Sequence, residues 1–264
     1  MTDNPAIIDI LQETRKVLSF HRSLGIDSYP ATDGIKSFLG DNPPPLPATA
    51  DNTNSKAEKF TPPSARMPQK SVPPPLVSDD ATLDEIRLDL GNCQRCDLKD
   101  SRSGIVFGTG PAQADLFIVG EWPDQDEDRE SKPFQGDNGV LLDRMLQAIG
   151  MTREQVYLTN IVKCRPNQDL PPKDNELKAC RPFLLRQIAV VKPKVILAMG
   201  ALATQVLLKN KTPLSRLRGR VHTFHGIDLM PTFHPAFLIA NPAMKKATWL
   251  DLQMVQKRVA ATSK

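Results

Sequence analysis

The sequence lacks any long hydrophobic run. Its 264 residues are 40% hydrophobic, yet no apolar stretch approaches the ~20 residues that a membrane-spanning helix needs. The longest apolar stretch, residues 195–208, is typical of a buried strand followed by a helix. A signal-peptide pattern is also missing, because acidic residues come early in the N-terminal segment. These absences argue against a membrane-spanning protein, and we expect a cytoplasmic protein with a globular core.

Cysteine is scarce, and the four that are present carry a pattern. In a cytoplasmic protein, cysteines are more often metal ligands or free thiols than disulfides. Cys93 and Cys96 are separated by two residues, as in many metal sites. With Cys164 and Cys180 they make a set of four, the number of ligands that one metal centre needs. Four thiolates suit a tetrahedral zinc ion or an iron–sulfur cluster, and spacing alone does not choose between these. A Cys/His zinc site that uses His222 and His225 is a further alternative.

Acidic residues are nearly missing from the C-terminal part of the chain. Residues 161–264 contain 18 Lys and Arg against 5 Asp and Glu, whereas residues 81–160 contain 8 against 15. The formal net charge of +4 conceals this asymmetry. Positive charge concentrated in one half favours a polyanionic partner such as nucleic acid over a surface that is basic only for solubility. Many of the carboxylates lie together after residue 120, in what we interpret as an acidic loop.

Composition divides the chain into three parts. Residues 1–27 contain one helical pattern of apolar residues without an obvious core of its own. Residues 28–79 are rich in Pro, Ser, Asn and Thr, which predicts a disordered linker because such a segment buries too little apolar surface to offset its chain entropy. Residues 80–264 carry the compact domain, which begins with a helix that has Thr82 as its N-cap and Glu85 at the capping-box position.

Short apolar strand patterns alternate with helical patterns in the compact domain. The predicted strands cover residues 115–120, 156–162, 194–200 and 227–233. Nearly all-apolar strands interleaved with helices favour a mainly parallel sheet covered by helices on both faces. Ligands of such sheets bind at the carboxyl ends of the strands, so the residues that follow each strand are candidates for a functional site.

Several motifs follow one another in the order found in a known family. They include "KPFQGDNGVLLDRML", "YLTNIVKCRP", "AMGALATQVLL", "LRGRVHTFHG" and "PTFHPAFLIANP". Over about residues 80–260 the chain resembles the family-four uracil-DNA glycosylases. The resemblance implies a three-layer α/β/α sandwich, and a four-iron, four-sulfur (4Fe-4S) cluster on the four cysteines. It also implies hydrolysis of the N-glycosidic bond of uracil flipped out of DNA, which leaves an abasic site and starts base-excision repair.

The resemblance also implies roles for individual residues. Phe134 would stack on uracil, and the side-chain amide of Asn160 would pair with uracil O4 and N3–H, a pattern that cytosine does not offer. His234 would stabilise negative charge on the departing base, and Glu121 would position or activate water. The basic residues expected to bind DNA are Lys163, Arg165, Arg216, Arg218 and Arg220. The neighbouring acids Asp126, Glu127 and Asp128 are interpreted as a solvated turn.

Three residues depart from the family's pattern, one of them Ala240, where relatives often carry arginine. Trp122 and Asp124 stand where relatives usually carry a small residue and a glycine. We predict that Trp122 contributes to substrate binding. The alternatives are a non-catalytic binder of damaged DNA whose pocket Trp122 alters, and a zinc-stabilised DNA-binding module without a base pocket. We expect a monomer, with a replication or repair protein as the possible partner of the N-terminal helix.

Overall fold

The computed structural model describes residues 82–167 and 170–261. The predicted N-terminal helix and Pro-rich linker lie outside the described residues. Within the described part of the chain, no helix has both the length and the apolar character needed to cross a bilayer.

A single five-stranded sheet forms the centre of the domain. Its strands are β1 (Leu116–Gly120), β2 (Val156–Asn160), β3 (Val195–Met199), β4 (His222–Phe224) and β5 (Ile227–Thr232). The spatial order is β2-β1-β3-β5-β4, and every neighbouring pair is parallel except the antiparallel pair β4–β5. The mainly parallel sheet is thus confirmed, and each of the four predicted strands is found within two residues of its predicted ends.

Helices connect these strands. They are α1 (Leu83–Leu90), α2 (Gln125–Glu130), α3 (Gly136–Ala148), α4 (Asp174–Val191), α5 (Ala201–Leu208), α6 (Leu214–Leu217), α7 (Pro235–Ala240) and α8 (Lys245–Ala261). The predicted capping box is present at the start of α1, where Thr82 accepts from the Glu85 backbone N–H and Glu85 accepts from that of Thr82. This capping box satisfies backbone N–H donors that the first helical turn leaves without partners.

The fold has three layers because alternate residues of the strands face opposite sides of the sheet. Leu116 and Ile118 belong to one apolar cluster, together with residues of α3 and α8. Phe117 and Val119 belong to a second cluster, together with residues of α4 and α5. Since all five residues of β1, β2 and β3 are buried, helices cover both faces of the sheet, and the expected α/β/α sandwich is confirmed.

The hairpin between β4 and β5 explains two of the four histidines. His225 and Gly226 both have positive φ, 48° and 88°, as a tight two-residue hairpin turn requires. His222 lies in β4, and its Nε2 is 2.8 Å from the carbonyl oxygen of Leu217. Both histidines are therefore part of the hairpin structure.

Candidate functional site

Parallel strands end at the same edge of the sheet, and the residues at that edge form the candidate site. Asn160 is the last residue of β2 and lies opposite Gly120, the last residue of β1. Glu121 follows β1 directly, and His234 follows β5 after one intervening residue. The topology therefore brings together three residues that are far apart in the sequence.

Phe134 is held in a conformation that bulky residues rarely adopt. Its φ is +54°, and its side chain is 1% exposed. The backbone N–H of Phe134 donates to Glu127 Oε1 (2.5 Å), and its carbonyl oxygen accepts from Arg153 Nη2 (2.6 Å). The ring is stacked with that of His234, with centroids 5.6 Å apart and planes inclined by 25°. Such left-handed backbone persists only where its surroundings fix it, which is typical of functional sites.

Asn160 reaches the same place from β2. It is 1% exposed, and its Nδ2 donates to Glu127 Oε1 (3.0 Å). Its Oδ1 is buried and has no hydrogen-bond partner. A Cβ added at Gly120 would collide with this Oδ1 and with Cζ of Phe134, so the ring and the amide oxygen lie beside the same glycine. A buried acceptor left unpaired is costly, so this oxygen is available to a ligand or water that donates a hydrogen bond.

Glu127 connects the turn that carries Phe134 to the side-chain amide of Asn160. Besides the two bonds to Oε1, its Oε2 accepts from the backbone N–H of Asp124 (2.8 Å). Burial raises the pKa of Glu127 to about 7, helped by the charge of Asp124 and opposed by the three N–H donors, those of Phe134, Asp124 and Asn160. The interpretation of Glu127 as part of a solvated turn was wrong, because the residue is 3% exposed.

The acidic segment is a short helix rather than a loop. Asp124 caps α2 and forms a capping box with Glu127, and its φ of −84° needs no glycine. Asp128 is also buried, and it accepts from the backbone N–H groups of Ser103 and Gly104. Asp126 is partly exposed and pairs with Arg129 (2.8 Å). Two of the three acids thus have internal partners, and only Asp126 resembles the surface residue that we expected.

Glu121 lies against the N-terminus of α5. Its Oε1 accepts from the backbone N–H of Leu202 (2.7 Å). Gly200, the residue before the helix, has φ +103°, and a Cβ there would overlap the Glu121 carboxyl group. Burial raises the pKa of Glu121 to about 7, while the N–H groups of Leu202 and Ala201 oppose the rise. A carboxylate with its pKa near 7 is suited to general base catalysis near neutral pH.

His234 is the N-cap of α7. Its Nδ1 accepts from the backbone N–H of Ala236 (3.3 Å), so the neutral ring carries its proton on Nε2. Burial lowers the pKa of His234 to about 4, and the ring is therefore neutral at physiological pH. Nε2–H is left as a donor at the end of β5, beside the ring of Phe134.

The four cysteines line one small cavity beyond the end of β2, between the loop after α1 and helix α4. Arg102 connects two of their segments: its Nη1 donates to Cys164 Sγ (3.0 Å) and its Nη2 to the carbonyl oxygen of Cys93 (2.9 Å). Burial raises the pKa of the Cys164 thiol, and it raises that of Cys180 to about 11. Thiolates at this place therefore need positive charge from their ligands or neighbours.

The four thiols are a donor set that suits either an iron–sulfur cluster or a tetrahedral metal ion. Among the residues that the structure describes, no three His, Cys, Asp or Glu side chains form a group that could hold a metal ion. The four thiols nevertheless line one cavity, and four cysteines are a ligand set that a four-iron cluster uses, in which each cysteine binds a different iron.

Comparison with known proteins shows the family of this chain. The model of the uracil DNA glycosylase superfamily matches residues 107–253. A type-4 uracil-DNA glycosylase of Saccharolobus solfataricus is 36% identical over 191 residues, which are 69% of this chain and 87% of that protein. The chain belongs to the type-4 uracil-DNA glycosylase family. A relative of the same name from Thermotoga maritima is 38% identical over 151 residues, which are 56% of this chain and 79% of that protein.

The sequence predicts that Trp122 contributes to substrate binding. Trp122 is partly buried and packs against the apolar cluster that contains Cys164 and Cys180. Phe134 belongs to a different apolar cluster. The structure gives the indole this packing contact, and its contact with substrate stays a prediction.

The basic residues of this type-4 family member divide into surface and interior groups. The prediction that Lys163 binds DNA is wrong, because the residue is 0% exposed and its Nζ donates to the carbonyl oxygen of Asn160 (2.8 Å). Arg218 is also mainly internal, since it pairs with the buried Asp251 (2.9 Å). The sequence could not show that these cations point inward. Arg216 and Arg220 are exposed, and Arg165 is partly exposed.

Proposed function

We propose that the protein is a monofunctional uracil-DNA glycosylase that hydrolyses the N-glycosidic bond of uracil flipped out of DNA. The observation that carries this proposal is the convergence of Phe134, Asn160 and His234. Glu127 holds the first two through one carboxylate oxygen, and His234 stacks beside the Phe134 ring. A flat apolar surface, an amide reader and a neutral donor in one buried place are what an excised base requires.

Base reading follows from the orientation of the Asn160 amide. Glu127 accepts from Nδ2, which fixes Oδ1 as the free acceptor. Uracil N3–H would donate to Oδ1, and the second hydrogen of Nδ2 would donate to uracil O4. Cytosine offers an acceptor at position 3 and a donor at position 4, so it would leave buried groups facing groups of their own kind. A site built in this way rejects the wrong base strongly.

Bond cleavage requires stabilisation of the departing base and delivery of water. The neutral His234 ring would donate its Nε2–H to uracil O2 as negative charge develops there. Glu121, as the carboxylate, would accept a proton from the water that attacks the sugar and would offset the positive charge of the oxocarbenium-like transition state. No lysine nucleophile is needed, so the products are free uracil and an abasic site.

Cys93, Cys96, Cys164 and Cys180 would hold a 4Fe-4S cluster. When bound, the cluster would cross-link the segment after α1, the end of β2 and helix α4 through iron–thiolate bonds. Because Cys164 follows β2, whose last residue is Asn160, the bound cluster would stabilise the end of the sheet at which the base is recognised. We assign the contacts with DNA phosphates to Arg165, Arg216 and Arg220; loss of one such contact should lower the salt slope of binding by about one unit.

An oligonucleotide assay tests this function. A duplex with one uracil is incubated with the protein and then treated with alkali, which breaks the strand at an abasic site. We expect a break at the uracil and none in the matched cytosine duplex. Tight binding of the uracil duplex without release of the base would contradict the proposal and support the non-catalytic alternative.

Replacing Arg153 tests whether the strained turn matters. Arg153→Met removes the donor to the Phe134 carbonyl oxygen and the ion pair with Asp143. We expect kcat/KM for uracil release to fall about 10- to 100-fold, because the stacking ring would no longer be fixed in its productive position. Arg144→Met, which removes an exposed arginine of α3, is the matched control. Equal activity of the two variants would show that the Arg153 contacts do not contribute to uracil release.

Replacing one cysteine tests the metal site. Cys164→Ser should abolish the broad absorbance near ~400 nm that iron–sulfur proteins show, and should lower the iron content of the purified protein. Iron per chain and the visible spectrum are measured under oxygen-free handling, with the wild-type protein prepared in parallel. A wild-type protein that is colourless and free of iron would contradict the assignment of these four residues.

A further inference from the structure

Lys163 occupies a position between the cysteine cavity and the base-reading amide. It is fully buried and lines the cavity together with all four cysteines. Its Nζ donates to the carbonyl oxygen of Asn160 (2.8 Å) and to Thr159 Oγ1. One residue thus lines the cavity of the four cysteines and also holds the main chain of Asn160, the residue proposed to recognise uracil.

The charge of Lys163 has no carboxylate partner among the contacts that the structure shows. Both acceptors of its Nζ, a hydroxyl and a carbonyl oxygen, are neutral. A buried ammonium without a counter-charge is costly. The thiols of Cys164 and Cys180 line the same cavity, and Cys164 Sγ also accepts from Arg102. A thiolate-bound cluster would provide the counter-charge in the same cavity.

We propose that Lys163 is a positioning residue that couples the metal site to uracil recognition. Its ammonium offsets the negative charge of the metal-loaded cysteines, and the same ammonium fixes the main chain of Asn160. This inference rests on the proposed function for its second half. It predicts that the neutral, similarly long variant Lys163→Met impairs two properties together: retention of the cluster and recognition of the base.

The test uses purified, iron-loaded protein and has two measurements. The first is the rate at which the absorbance near ~400 nm bleaches in air, together with the number of iron atoms bound per chain. The second is the inhibition constant of free uracil in the duplex assay, which reports on the base pocket rather than on DNA binding. For Lys163→Met we expect both the bleaching rate and the inhibition constant to rise about 10- to 100-fold, the range typical of residues that support metal ligands. Lys178→Met, an exposed lysine two residues before Cys180, is the matched control and should resemble the wild type.

A second variant covers the case in which Lys163→Met does not fold. Thr159→Val keeps the ammonium but removes one of its acceptors, and it should raise the inhibition constant of uracil by a smaller factor without loss of iron. An unchanged inhibition constant in folded Lys163→Met, or in Thr159→Val if the first variant is unfolded, would overturn the coupling. If the wild type released no uracil, the proposed function would fail, whereas the bleaching measurement would still decide the role of Lys163 at the metal site.

Discussion

Asn160→Ala is expected to lower kcat/KM for uracil release by at least about 10³-fold, because the variant loses both hydrogen bonds that distinguish uracil from cytosine. In the structure the amide is buried, Glu127 fixes its Nδ2, and its Oδ1 has no partner. Alanine at this position removes the amide that would pair with uracil, and it leaves Glu127 with one N–H donor fewer. Single-turnover kinetics on a uracil duplex measure the effect on the chemical step without interference from product release.

The control for this variant is Asn175→Ala, an exposed asparagine of α4. We expect the control to keep wild-type kinetics, and both proteins to stay folded with the iron content of the wild type. Near-normal uracil release by folded Asn160→Ala would exclude the amide from base recognition, and with it the interpretation of its unpaired oxygen.

Glu121→Gln is expected to reduce kcat about 10²- to 10⁴-fold and to change the pH profile. Burial raises the pKa of Glu121 and that of Glu127 to about 7. Glu121 must be deprotonated to accept a proton from water, and Glu127 accepts three N–H donors as a carboxylate. In the wild type, kcat/KM should therefore rise with pH through about 7, with a limiting slope approaching two on logarithmic axes. Below pH 7 both groups take up protons and activity is lost.

Removing one of the two carboxyl groups should remove one unit of that slope. Glu121→Gln should thus keep a shallower acid limb that belongs to Glu127. His234 contributes no limb in this range, because burial lowers its pKa to about 4. Glu130→Gln, which alters an exposed glutamate of α2, should leave the profile unchanged. A Glu121→Gln profile parallel to that of the wild type would exclude Glu121 as the general base.

The sheet could be predicted from sequence because its signals are local. Runs of apolar residues in β1, β2 and β3 are buried on both faces, and the capping box at Thr82 and Glu85 fixes the start of α1. Helix α2 was missed because its dense negative charge resembles a solvated loop. The same capping-box signal was present there, in Asp124 and Glu127, and could have found it.

The direction of charged side chains could not be predicted from sequence. Lys163 lies in a basic stretch beside Arg165, yet the chain turns its side chain into the core. Glu127 is buried because Phe134 and Asn160, which are distant in sequence, present N–H groups to it. Such burial depends on partners that only the folded chain assembles, so composition assigns these residues to the surface.

The most direct measurement is a crystal structure of the protein with a duplex that carries one non-hydrolysable uracil nucleotide. We predict that the base lies on the Phe134 ring, with N3 and O4 on the Asn160 amide and O2 within hydrogen-bond distance of His234 Nε2. A uracil that stays in the helical stack, or that binds away from these three side chains, would contradict the account.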